Sequence, residues 1–165
     1  MFEAATLLIS TLLIATASAT VYKYMYIDGS VTISTTTGLK WVEGSDAPSG
    51  TTIVGSTVTL PLTVNNGTPV NFTYCLYLEN LDPTTDHPLI IEVTTASGTT
   101  DFNKFNLMLF ENVSSTHIHT LDVTTTDSYS DTITQSEVWR FTFEVYAKPG
   151  ASGPVDFDIT VTYED

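Results

Sequence analysis

From Thr20 onward the chain alternates apolar and polar residues in short runs, and this alternation restricts it to β-structure. Val138–Ala147 and Val155–Glu164 are the clearest examples, because residues two apart lie on the same face of a strand. Turn-forming residues such as Asn65–Gly67 separate the runs. The pattern predicts an all-β fold, a single jelly-roll-like β-sandwich of about nine strands, with no helix after residue 26.

Three local signals refine this prediction. Asp28 and Gly29 form a turn dipeptide, so we expect the strand Thr20–Ile27 to end there. Pro61 lacks a backbone N–H, which predicts an edge position or a bulge in the strand Thr57–Asn65. Asp127–Asp131 is polar and carries no strand prediction.

The N-terminal stretch is apolar from Ala4 to Ala19 and ends in Ala17-Ser18-Ala19, a pattern typical of signal-peptide cleavage. The basic residues that usually precede such a segment are missing, since the first is Lys23. Residues 1–19 are therefore either a cleaved signal peptide or a retained apolar helix. Residues 20–28 follow as an N-terminal strand and residues 29–165 as the sandwich domain. We expect an extracellular or cell-surface protein, with no stable membrane anchor if the signal is cleaved.

Charge narrows the range of partners. The 165 residues include 5 Lys or Arg and 19 Asp or Glu, for a net charge of −14. Because such a chain is repelled by phosphate, we expect no nucleic-acid partner. The partners that this charge still allows are cations, neutral glycans and protein surfaces. The single cysteine, Cys75, excludes an internal disulfide, and we expect it to be a buried core residue.

Residues for catalysis are not evident. The chain has no HExxH, CxxC, Gly-x-Ser-x-Gly or P-loop motif. His117 and His119 are two apart and would share a strand face, but no third ligand accompanies them, so we predict no metal site. The scattered acidic groups allow at most a weak calcium site. We therefore expect neither an enzyme nor a cofactor.

Three sequons predict a glycoprotein, because Asn-x-Ser/Thr is the acceptor pattern for N-linked sugar. They begin at Asn66, Asn71 and Asn112. Pro69 follows the first sequon and disfavours it. Asn112 precedes a polar segment and is the strongest candidate.

The order of strands and turns resembles a known group of proteins. The segments that carry the resemblance are Tyr26–Ile33, Gly55–Val64 with the turn Asn65–Gly67, Phe72–Leu78, Phe141–Val145 and Val155–Tyr163. In this order the chain resembles the TasA/camelysin-type biofilm fibre proteins and is similar to subunits of archaeal bundling pili and extracellular threads. Camelysin is described as a protease, but no catalytic residues are found here to carry that activity.

The resemblance implies a structural subunit that polymerises head to tail with itself by donor-strand complementation, in a pilus or biofilm fibre that serves cell adhesion. The residues favour the same interpretation, because an apolar strand near the N-terminus can pair with another chain's open sheet edge. The polymerisation residues would be Thr20, Val21, Tyr22, Tyr24, Met25 and Ile27. Three alternatives stay open: a first strand of the chain's own sandwich, an archaeal type IV-like pilin with a retained helix, and a monomeric secreted or surface-layer binding module.

Overall fold

A computed structural model describes residues 24–33, 38–151 and 155–163, which form eleven strands and one short 3-10 turn. The strands are β1 (Tyr24–Ile33), β2 (Leu39–Glu43), β3 (Thr52–Val54), β4 (Thr57–Asn65), β5 (Val70–Asn80), β6 (His87–Ala96), β7 (Phe102–Glu111), β8 (His117–Asp122), β9 (Ser128–Ile133), β10 (Val138–Ala147) and β11 (Val155–Tyr163). The turn spans Thr99–Asp101. Within these ranges, no helix has the length and apolar character needed to cross a membrane.

The strands form two sheets that pack face to face. Sheet A has the order β3-β4-β1-β11-β6-β9, and sheet B has the order β2-β5-β10-β7-β8. Among the described ladders, only β1 with β11 is parallel. The predicted all-β sandwich is confirmed, and the jelly-roll topology within that class stays a prediction.

The core lies between the sheets and is rich in aromatic rings, because every second residue of a strand points inward. Phe105 and Phe143 of sheet B meet Phe157 of sheet A at ring-centroid distances of 5.2 and 5.7 Å. Within sheet B, Trp41 and Phe141 pack edge to face at 5.1 Å. Such pairs add to the free energy gained from burying their surface.

Two strands were missed by sequence reasoning, and both lie at an edge of sheet A. β3 has three residues, too few to show a period. β9 has only one fully buried residue, Ile133, because an edge strand has little to pack against. Polar edge strands therefore lack the alternation that predicts central ones.

The turn predicted at Asp28-Gly29 is wrong, because β1 continues through both residues to Ile33. Neighbouring strands on both sides supply hydrogen-bond partners at this point, and this ladder outweighs the local preference for a turn. The expected boundary at 28/29 therefore falls inside a strand. β3 pairs only with Thr57–Thr59 of β4, and Pro61 lies beyond this part. One side of β4 is therefore a free edge at Pro61, which suits a residue without a backbone N–H.

Candidate assembly site

The N-terminal strand β1 lies in the middle of sheet A, between β4 and β11. It pairs antiparallel with β4 over Tyr24–Thr32 and parallel with β11 over Ile27–Ile33. We call the space between β4 and β11 that this strand fills the β1 slot. The inward side chains of β1 are each at most 2% exposed: Met25, Ile27, Val31 and Ile33. The strand therefore supplies part of the core as well as two ladders of hydrogen bonds.

Gly29 is where β1 comes closest to the core. A Cβ atom at this position would lie 2.0 Å from Cε1 and Cζ of Phe157, too close for any side chain. A slip of two residues, which keeps the same face inward, would bring Ile27 or Val31 over the Phe157 ring. Gly29 and Phe157 thus select one register for any strand that fills the β1 slot.

The polymerisation residues expected from the sequence divide into two groups. Thr20, Val21 and Tyr22 lie outside the described residues. Tyr24, Met25 and Ile27 belong to β1, in a sheet of their own chain. This is the arrangement of the alternative in which the segment forms the first strand of its own sandwich, and donation between chains stays a prediction.

The free edges of the described sheets are short. Sheet A ends in β3 and β9, and sheet B ends in β2 and β8; each of these strands has six residues or fewer. On one side, the rings of His119 and Tyr129 stack at 4.2 Å and bridge β8 to β9. If β1 leaves sheet A, the β1 slot offers an added strand nine paired positions along β4 and seven along β11, more than any of these edge strands has residues.

The three sequons differ in accessibility. The Nδ2 of Asn66, the atom that would carry sugar, donates a hydrogen bond to the Ala151 carbonyl. Asn71 is exposed within β5, and Asn112 is exposed in the turn between β7 and β8, next to Val113, which is 96% exposed. Asn71 and Asn112 are thus exposed acceptors, and Asn112 is the one that lies in a turn. Its glycosylation stays a prediction.

The histidine pair does not converge on one point. The His117 ring packs on Phe110 at 5.3 Å and its Nε2 lies 2.8 Å from the Thr120 hydroxyl, whereas His119 stacks on Tyr129. In the part of the chain that the structure describes, no group of three or more His, Cys, Asp or Glu side chains is placed to hold a metal ion.

Acidic residues in the loops use their carboxylates within the loops. Asp82 accepts hydrogen bonds from the backbone N–H and hydroxyl of Thr84, both at 2.8 Å. Asp122 accepts hydrogen bonds from the backbone N–H and hydroxyl of Thr124, at 2.8 and 2.6 Å. These contacts shape turns.

Comparison of the chain with protein-family models and with curated proteins finds no match.

Proposed function

We propose that the protein is a structural subunit of an extracellular filament, in which the β1 strand of one subunit fills the β1 slot of the next. The observation that carries the proposal is the position of β1. It is the first described element of the chain, yet it occupies the interior of sheet A with neighbours on both sides. The residues before it would travel with it into the neighbouring subunit.

Exchange of β1 between subunits preserves the contacts of the strand. The same two ladders and the same buried side chains form between chains instead of within one, which is the geometry of domain swapping. Burying the four inward side chains of β1 contributes on the order of 10 kcal/mol at about 1.5–3 kcal/mol each. Because donor and acceptor are different surfaces, the contact is head to tail and extends into a filament unless a ring closes.

A second candidate is a monomeric secreted binding module or surface-layer component. It is favoured by the pairing of β1 within its own chain, which completes sheet A without a partner. The two functions differ in one measurable property, namely whether β1 pairs with β4 of the same chain or of another.

A cysteine pair measures this property directly. Thr32 of β1 and Thr57 of β4 are cross-strand partners whose hydroxyl oxygens are 3.4 Å apart. The Ile33 N–H donates to the Ser56 carbonyl at 2.9 Å, which makes Thr32–Thr57 a pair without direct backbone hydrogen bonds, the closer of the two pair types. Its geometry therefore suits a disulfide.

The experiment uses Thr32→Cys with Thr57→Cys in a Cys75→Ala background, with filaments sheared from the cell surface and run on a non-reducing gel. Strand donation predicts a ladder of covalent dimers, trimers and longer species. The control is Glu92→Cys with Ser128→Cys, a pair of the same type within β6 and β9, which predicts only monomers.

The possible results separate the candidates. Filaments whose Thr32–Thr57 disulfide is only intramolecular would overturn strand donation. Monomeric protein with an intramolecular disulfide and no filaments would support the binding module. Sequencing the N-terminus of the filament subunit distinguishes the pilin alternative, because a start near Met1 indicates a retained helix and a start at Thr20 a cleaved signal.

A further inference from the structure

A buried arginine lies on the outer face of sheet B without a carboxylate partner. Arg140 lies in the central strand β10 between two core residues, Trp139 and Phe141, so its side chain points away from the core. It is nevertheless only 7% exposed. Its guanidinium Cζ is 4.9 Å from the Tyr74 ring centroid and 4.7 Å from that of Phe110. We call Arg140, Tyr74 and Phe110 the Arg140 cluster.

The Arg140 cluster leaves one buried polar atom unsatisfied. The Nε atom of Arg140 is buried and has no hydrogen-bond partner. Among the described residues the one ion pair is Lys104 with Glu144, so no carboxylate neutralises Arg140. Contacts with aromatic rings offset part of the cost of burying a cation, but a ring face does not accept the in-plane N–H of Nε. The preferred ligand of such a fork is a carboxylate.

Carboxylates without a basic neighbour are found on the opposite face of the molecule. The described strands of sheet A contain no Lys or Arg, whereas those of sheet B contain Lys40, Lys104 and Arg140. Asp28 of β1 and Asp156 of β11 are exposed on the outside of sheet A and lie directly opposite each other. Like charges in that position destabilise a sheet, and a cation from outside would relieve the repulsion.

We propose that the Arg140 cluster of one copy binds Asp28 and Asp156 of a second copy of this chain. The contact joins the outer face of sheet B to the outer face of sheet A. If β1 is donated, Asp28 of the acidic pair belongs to the donor chain and Asp156 to the acceptor chain, and their cross-strand register is unchanged. Each copy keeps one free face of each kind, so the contact can repeat and would pack subunits side by side. At 0.15 M salt the Debye length is about 8 Å. The long-range repulsion between the two acidic chains is therefore largely screened, while the attraction between Arg140 and the aspartates in contact with it remains.

The test uses chains that cannot exchange β1. The monomer fraction with the intramolecular Thr32→Cys/Thr57→Cys disulfide is isolated, and its self-association is measured by sedimentation at 0.15 M salt. We expect concentration-dependent oligomers. Arg140→Met should lower the association constant at least tenfold, and Asp28→Asn with Asp156→Asn should do the same from the other face.

The matched control is Lys104→Met, which removes the same charge from the same sheet. Because Lys104 already pairs with Glu144 at 2.7 Å, we expect its replacement to change the association constant by less than twofold. Arg140→Lys keeps the charge and most of the volume but loses the planar fork, so it should weaken association even if Arg140→Met fails to fold.

Three results would overturn the proposal. The first is that the monomer with the intramolecular Thr32→Cys/Thr57→Cys disulfide stays monomeric at every concentration. The second is that Arg140→Lys and the Asp28→Asn/Asp156→Asn variant associate as strongly as the parent does. Binding of a uronic-acid polysaccharide without self-association would instead assign the Arg140 cluster to a glycan. None of these results depends on the gel ladder, so failure of strand donation and failure of this contact are distinguishable.

Discussion

Cys75 shows how burial changes a single side chain. It lies in β5, is fully buried as expected from its apolar surroundings, and has no disulfide partner. Burial, with smaller contributions from the carboxylates of Asp46 and Glu43, raises the pKa of its thiol from an ordinary 9.0 to about 12. A thiol in this state is a poor nucleophile, so we assign Cys75 a packing role.

This shift predicts a loss of stability in alkali. Above pH 9 the unfolded chain releases the Cys75 proton while the folded chain retains it up to pH 12 or so. The unfolded state then binds fewer protons, so the free energy of unfolding falls as pH rises, by up to about 1.4 kcal/mol per pH unit.

Urea unfolding of the parent and of Cys75→Ala between pH 8 and about 12 measures this effect. The pKa of Tyr129 is also raised to about 12, by burial and by its hydrogen bond to Asp131. Both proteins share that contribution, so the difference between them isolates Cys75. Parallel pH profiles for the two proteins would contradict the prediction.

Strand β1 shows how neighbouring elements override local sequence. Asp28-Gly29 is a turn dipeptide by composition, but the flanking strands β4 and β11 keep it extended. The need for glycine comes from the ring of Phe157 below it, which is more than a hundred residues away in the chain. A single sequence does not contain that relation.

At this point of β1 we expect Gly29→Ala to destabilise the fold by about 1–3 kcal/mol, because the new methyl group overpacks the core at Phe157. Urea unfolding of the parent and of Gly29→Ala measures this loss in the free energy of unfolding. Phe157→Leu should relieve part of it, so the double variant should be more stable than the sum of the two single changes predicts. Additivity within about 0.5 kcal/mol would show that the two residues do not interact.

Asn80 joins other elements in a way that sequence reasoning missed. It is 3% exposed, and its Nδ2 donates to the carbonyls of Thr85, Ile133 and Thr134 at 2.9, 3.3 and 3.0 Å. Its Oδ1 accepts the Asp82 N–H at 2.9 Å. The end of β5 is thereby tied to the loop that follows it and to the end of β9. An Asn in a polar segment predicts a turn, not a buried connection between distant strands.

At the scale of the whole molecule, charge is in excess and unevenly distributed. The net charge is −14, the described residues form one ion pair, and the described strands of sheet A carry acidic residues and no Lys or Arg. Repulsion among these carboxylates opposes the compact state. Salt therefore screens more repulsion than attraction in this protein.

We expect the melting temperature to rise by several degrees between about 0.01 and 0.2 M NaCl, because the Debye length shortens from about 30 Å to below 10 Å. Calorimetry in matched buffers measures the shift. A variant with Asp28→Asn and Asp156→Asn removes two adjacent charges and should show a smaller rise. A melting temperature that falls with salt would mean that attractive pairs dominate.

The sequence by itself determined the β class, the central strands and the inward faces, because the period of side chains along a strand is a local property written in residues such as Trp139, Phe141 and Phe143. It also determined the excess of acid and the absence of recognisable catalytic motifs. Only the tertiary structure decided that β1 lies between β4 and β11, that Gly29 rests on Phe157, and that Arg140 is buried without a carboxylate. Each of these depends on contacts between residues far apart in the chain, and alternation along a single strand carries no information about its neighbours.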